Sequence, residues 1–289
     1  MTDVYQMVTD RILEMFDRNI VPWHCPWTRS GAGCVSYSTG RPYSLLNQLL
    51  LGGRPGEYIT FNQARELGGN VKKGEKSRFV VFWKLLEEKD DETGDISIKP
   101  LLRYYNVFHI DQCEHISPRW AVSVESAATP TLHHDDKAEK AILDYIDRSG
   151  VTYIPQKSDR AYYSPAEDKI VVPELAQFTE LSEYYSCAFH EIVHSTGASN
   201  RLDRLPCGYS HESYSREELV AEMGSAFLCH RLGIDSPASL GNSAAYIKGW
   251  SNALKRDRKL VVWAAGKAEK AADYVLGING EVDTDAAGL

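Results

Sequence analysis

The sequence predicts an α+β protein of two domains, a small mixed one followed by a mostly helical one. Three observations predict it. The stretch Ser123 to Asp136 has few large apolar residues and no periodicity, which is the signature of a linker. Before it, helical and strand patterns are mixed. After it, three long apolar-periodic segments dominate. The expected division is therefore 1–122, a linker over 123–136, and 137–289. At 289 residues the chain is long enough for two ordinary domains.

In the first domain, Val4 to Ile20 reads as an amphipathic helix, with Val4, Met7, Val8, Ile12, Met15 and Phe16 near one face. Pro22-Trp23-His24-Cys25-Pro26-Trp27 breaks it. Tyr43 to Leu51 and Thr60 to Leu67 read as further helices. Arg78 to Leu86 and Leu101 to Ile110 read as strands, with an acidic hairpin excursion between them over Glu87 to Lys99. In the second domain, Ala138 to Ser149 is a helix ending near Gly150. Tyr162-Tyr163 and Lys169 to Val172 are short strands around the Pro165–Asp168 turn. Helices follow over Ser182–Thr196, Ser215–Arg231 and Asn242 to Ala272, the last with a break inside.

A charged fraction of 25% and a hydrophobic fraction of 43% describe a globular protein, and no run approaches the roughly 18 apolar residues of a membrane helix. Met1 to Ile20 mixes acids and bases and lacks the pattern of a secretory signal, so a cytoplasmic location without membrane contact is expected. Cys25, Cys34, Cys113, Cys187, Cys207 and Cys229 form no C-x-x-C pair and are read as reduced, packed thiols. The net charge of −8 is carried by the second domain, while the first is nearly balanced. Neither is basic enough for charge alone to argue nucleic-acid binding, and interleaved acids and bases argue against a decoy of DNA.

The chemistry is concentrated at His190-Glu191-Ile192-Val193-His194. On a helix, residues four apart share a face, so both imidazoles can reach one ion. Glu191, a hundred degrees round the wheel, lies beside that ion, where it can act as a base toward water. Ser182 is a candidate cap for this helix and Gly197 a candidate stop. A catalytic zinc needs a third protein ligand and an open position. Glu218 and Glu222 supply carboxylates four apart, one to bind the metal and one to hold a histidine. Ser215-x-x-Glu218 is also a capping box, which would occupy Glu218 and pass the ligand role to Glu222. Tyr209 and Tyr214 are candidate oxyanion donors. The Ile170–Val172 strand is a candidate edge for adding an extended peptide.

The first domain interleaves bases and aromatics: Lys72, Lys73, Lys76, Arg78 and Lys84 around Phe79, Phe82 and Trp83, with Trp23, Trp27, Tyr37, Tyr43, Arg29 and Arg41 upstream. Rings stack on the bases of single-stranded nucleic acid while Lys and Arg follow the phosphates, although alternate aromatics in a strand are also ordinary core. Gly69 to Ser77 is not a phosphate loop, because Gly74 is followed by Glu75.

Longer motifs carry a resemblance. Pro22-Trp23-x-x-Pro26-Trp27, Thr39-Gly40-Arg41-Pro42-Tyr43, Asn47-x-x-Leu50-Leu51, Thr60-Phe61-x-Gln63-Ala64, Leu67-Gly68-Gly69-x-Val71-x-Lys73-Gly74-Glu75-Lys76 and Asn106-Val107-Phe108-x-Ile110-Asp111-Gln112-Cys113 resemble the N-terminal domain of the ArdC antirestriction proteins. That domain also begins certain plasmid conjugation primases. The second half, with its H-E-x-x-H and Glu218-x-x-Ala221-Glu222, resembles the zincin-type metallopeptidase domain that follows it. The resemblance implies a protein of a mobile genetic element with zinc as cofactor and single-stranded DNA as partner. It assigns the first acid, Glu218, as third ligand. It points for DNA contact to Trp23, Trp27, Arg41, Tyr43, Lys72, Lys73, Lys76, Arg78 and Trp83. His24-Cys25 departs from the basic pair expected there. The alternative is a zinc peptidase whose first domain recruits a protein substrate.

Overall fold

The computed structural model describes residues 3–18, 20–24, 33–52, 54–89, 96–120, 135–205, 211–234 and 243–278. The first helix, α1 (Val4–Asp17), opens where the Asp3 carboxylate accepts the Tyr5 and Gln6 amides, and it buries Val4, Val8, Ile12 and Phe16 on one stripe. A single helical turn over Pro22–His24 follows, then β1 (Cys34–Ser36) and α2 (Leu45–Leu51). Every side chain of α2 is buried, and the helix stops on Gly52 at a φ of 68°. Next come β2 (Gly56–Ile59), α3 (Phe61–Glu66), β3 (Asn70–Val71), β4 (Arg78–Lys89), β5 (Ile96–His109) and β6 (Cys113–Glu114). Thr60 and Gln63 cap α3 reciprocally. One sheet has the order β1-β2-β5-β4, with β1 parallel to β2 and the other pairs antiparallel, and β3 pairs with β6.

Two buried amides tie this half together. Asn47 donates to the Val81 carbonyl and accepts the Val81 amide, both at 2.8 Å, which pins α2 to β4. Gln48 accepts from the Cys34 amide and donates to the Cys34 and Tyr43 carbonyls, closing the end of β1. Buried backbone groups must be partnered, and here side chains supply what a three-residue strand cannot. The hairpin foreseen around Glu87 to Lys99 joins strands longer than expected, since antiparallel pairing continues from Arg78↔Val107 out to Lys89↔Ile96.

The second half begins with α4 (Asp136–Ser149), capped by Asp135 and ended by Gly150 at a φ of 70°. Then come β7 (Thr152–Gln156), β8 (Tyr162–Ser164), β9 (Lys169–Pro173), α5 (Leu181–Ser195), α6 (His211–Leu232), α7 (Ser243–Arg256) and α8 (Leu260–Leu276). The break foreseen in the last segment separates α7 from α8. In the three-stranded sheet β9 lies between β7, parallel to it, and β8, antiparallel. Both sides of β9 are therefore paired, so Ile170–Val172 is not the open edge expected for adding an extended peptide.

The architecture is α+β. One core runs through both halves: Val8, Ile12, Leu46, Leu49 and Leu50 share a cluster with Ile142, Phe189, Leu228, Trp250, Leu254 and Val261. Glu269 on α8 accepts the Leu45 amide and so caps α2 from the other half at 3.2 Å. The linker expectation for 123–136 falls mostly outside the described residues. Among these residues no helix is long and apolar enough to cross a membrane, and Cys34, Cys113, Cys187 and Cys229 are free thiols.

Candidate metal centre

The helix α5 forms because Tyr184, Tyr185, Ala188, Phe189, Ile192 and Val193 bury one side of it against β9 and α6. Its start lies at Glu180, so Ser182 is inside the first turn and is not the cap. Gly197 follows a right-handed Thr196 and is not a left-handed stop. A Cβ there would sit 2.8 Å from Leu205 Cγ and 3.1 Å from the His194 carbonyl, so glycine serves close approach. On α6, Gly224 has the same task, since a Cβ would come within 2.9 Å of Val193 Cγ2. Ser225 Oγ donates to the Ser186 carbonyl at 2.7 Å. These small residues draw α6 onto α5 and bring their polar faces together.

His190 Nε2 and His194 Nε2 lie 3.1 Å apart. The Glu218 carboxylate lies 3.6 Å from the first and 3.4 Å from the second. One ligand atom from each of the three falls within 4.8 Å of the others. Glu222 stands on the far side of His190, 3.9 Å from Nδ1. Because α6 begins at His211, Ser215 is inside the helix and the Ser215–Glu218 capping box does not form.

Glu191 is buried beside this group. Burial pushes its pKa up, against the pull of His190 and His194. His194 is raised to about 9: burial acts to lower it, and bonds to Glu217 and Glu218 outweigh that. Burial works to raise Glu218, yet the two histidines hold it well below the usual carboxylate range.

Two residues were not found by sequence reasoning. Glu217 Oε1 is 3.4 Å from His194 Nδ1, and Arg204 grips the same carboxylate with two bonds of 2.7 and 2.8 Å. The adjacent acid pair Glu217-Glu218 was a usable signal, since neighbours on a helix point a hundred degrees apart and can serve two nitrogens of one ring. Nothing in local spacing marks Arg204, which lies in a loop. Tyr209 and the Tyr214 side chain lie outside the described residues.

The proposed DNA contacts divide. Trp23 is 1% exposed, with ring centroids 5.6 Å from Phe16 and 5.1 Å from Trp250, so it is core and presents no face to a base. Tyr43 is largely enclosed against Tyr58, and burial drives its pKa far up. Trp27 lies outside the described residues. Arg41, Lys72, Lys73 and Lys76 are exposed, and Arg78 is half-buried against Gly52. Trp83 is 43% exposed, and Tyr104 and Trp120 are exposed aromatics the sequence did not single out.

Residues 2–108 match the N-terminal domain of the anti-restriction factor ArdC, and residues 140–267 match a zincin-like metallopeptidase family. Two DNA primases TraC of Escherichia coli are 31% and 30% identical to it over 94% of this chain. The chain spans only 20% and 27% of their lengths. An uncharacterized protein, y4eC, of Sinorhizobium fredii is 29% identical over 95% of this chain and 92% of its own. The crystal structure of the antirestriction ArdC protein from plasmid R388, metal-free, superposes with a TM-score of 0.78 at 34% identity, covering 95% of this chain and 97% of that one. Its Mn(II)-bound form gives 0.75 at 33% identity, covering 97% and 100%. With both halves matched in order and a solved relative covered almost end to end, the chain belongs to the ArdC antirestriction family, as an ArdC-type N-terminal domain joined to a zincin-like metallopeptidase domain.

Proposed function

We propose that the protein binds single-stranded DNA of a mobile element through its first half and hydrolyses peptide bonds at a zinc centre in its second. The observation that carries the reading is the convergence of His190, His194 and Glu218 beside the buried Glu191. Two imidazoles and one carboxylate are a zinc donor set that leaves a position open, and the imidazoles favour zinc over the manganese of the R388 relative. A bound zinc supplies Lewis acidity, polarising a carbonyl and making water acidic near neutral pH. His190, His194 and Glu218 hold it. Glu191 accepts the proton of the attacking water at its carboxylate and passes it to the departing amine nitrogen. An extended substrate lies along the outer edge of β8. Purified protein is expected to carry about one zinc per chain. Metal analysis finding none under zinc-replete growth would remove the centre.

The DNA half is supported by the exposed Lys72, Lys73 and Lys76, the exposed ring of Trp83, and the primase relatives. Full-length protein should bind single strands in preference to duplex, with little sequence choice, because rings stack only on unpaired bases. Affinity should fall with salt, with a slope in log units of about −0.7 per phosphate neutralised. Lys73→Glu with Lys76→Glu should weaken binding to all sequences alike. Fluorescence anisotropy on matched oligonucleotides at two salt concentrations decides. Equal affinity for both forms, or none at low salt, would put recruitment of a protein substrate ahead.

A further inference from the structure

We infer that Glu217 and Arg204 are positioning residues of the metal centre: Glu217 takes the Nδ1–H of His194 and so turns Nε2 toward the ion, and Arg204 holds Glu217 in place. This rests on His190, His194 and Glu218 being the ligands.

The geometry is specific to one ring. Both side chains are nearly sealed from solvent, Arg204 at 2% and Glu217 at 6% exposure. Arg204 Nε and Nη2 donate to the two Glu217 oxygens at 2.8 and 2.7 Å. Nη2 also donates to the Val193 carbonyl at 2.7 Å, and Nη1 to Thr196 Oγ1 at 3.1 Å. The guanidinium thus ties the carboxylate to the last turn of α5, the turn that carries His194. A lysine has no planar fork and cannot make this set. Gly197 gives it room, since a Cβ there would stand 3.2 Å from Arg204 Nη2. Once Arg204 occupies the carboxylate from behind, His194 Nδ1 is left 3.4 Å from Oε1.

His190 is held differently. Its Nδ1 is 3.9 Å from Glu222, a longer approach than the 3.4 Å between His194 Nδ1 and Glu217. A ligand whose ring is already turned loses less freedom when the ion arrives.

The test uses full-length protein and zinc in competition with a chromophoric chelator. Glu217→Gln keeps an acceptor for Arg204 but loses the charge, and should lower zinc affinity about 10-fold. Glu217→Ala and Arg204→Met should lower it by up to about 100-fold. In a His194→Ala background, Glu217→Gln should have no further effect on the residual affinity, because its action passes through that ring. Unchanged affinity in Glu217→Gln, or an equal fall in the His194→Ala background, would overturn the assignment. If Glu217→Ala does not fold because Arg204 is stranded, Glu217→Gln carries the result. Wild-type protein that takes up no zinc is a separate outcome, and it removes the metal-centre reading itself.

Discussion

Glu191→Gln is expected to lower peptide hydrolysis by about 10²–10⁴-fold while zinc content stays at the wild-type level. The amide has the shape of the carboxylate, but it has no site for the water proton. Because burial already disfavours the charged form of Glu191, the neutral amide should not lower the melting temperature. Turnover of a cleavable peptide, with metal analysis on the same samples, checks both halves. A variant that cleaves at the wild-type rate would remove Glu191 as the base.

Substitution of the ligands should act on the ion itself. His190→Ala or His194→Ala leaves two protein donors, and zinc should be lost at nanomolar concentration. Glu218→Ala should weaken zinc more than Glu222→Ala, since Glu218 is near both Nε2 atoms and Glu222 is near one Nδ1. For Glu222→Ala a loss of about 10–100-fold is expected. Competition titration gives the order. The reverse order would transfer the ligand role to Glu222, and stoichiometric zinc in the double histidine variant would sink the site.

What was legible followed from period and spacing. His190 and His194 were legible because i, i+4 on a helix is a geometric statement, and the same argument placed Glu218 and Glu222 on one face. The long helices were legible from their apolar stripes. The strand β1 was not, because three residues leave no periodicity and its ends are closed by Gln48. The capping-box reading of Ser215 failed because α6 begins at His211, and helix ends are the least certain part of a pattern. Trp23 was misjudged for a different reason. An aromatic beside bases looks alike whether it faces a base or a core, and packing on Phe16 and on Trp250, the latter more than two hundred positions away, decides. Arg204 was invisible on the same ground, since its partner is chosen by tertiary packing.

The shared core has a consequence for how the molecule comes apart. Val8 and Ile12 of α1 and Leu46, Leu49 and Leu50 of α2 find part of their apolar cover on α7 and α8. If the C-terminal helices melt, that surface meets water, and at about 25 cal/mol per Å² even a few side chains amount to several kcal/mol, comparable with the whole stability of a domain. Calorimetry should therefore record a single endotherm, with amide protons on α2 and α8 exchanging together. Zinc bound at α5 and α6 would then raise the melting point of the first half as well, through mass action on one common unfolding equilibrium.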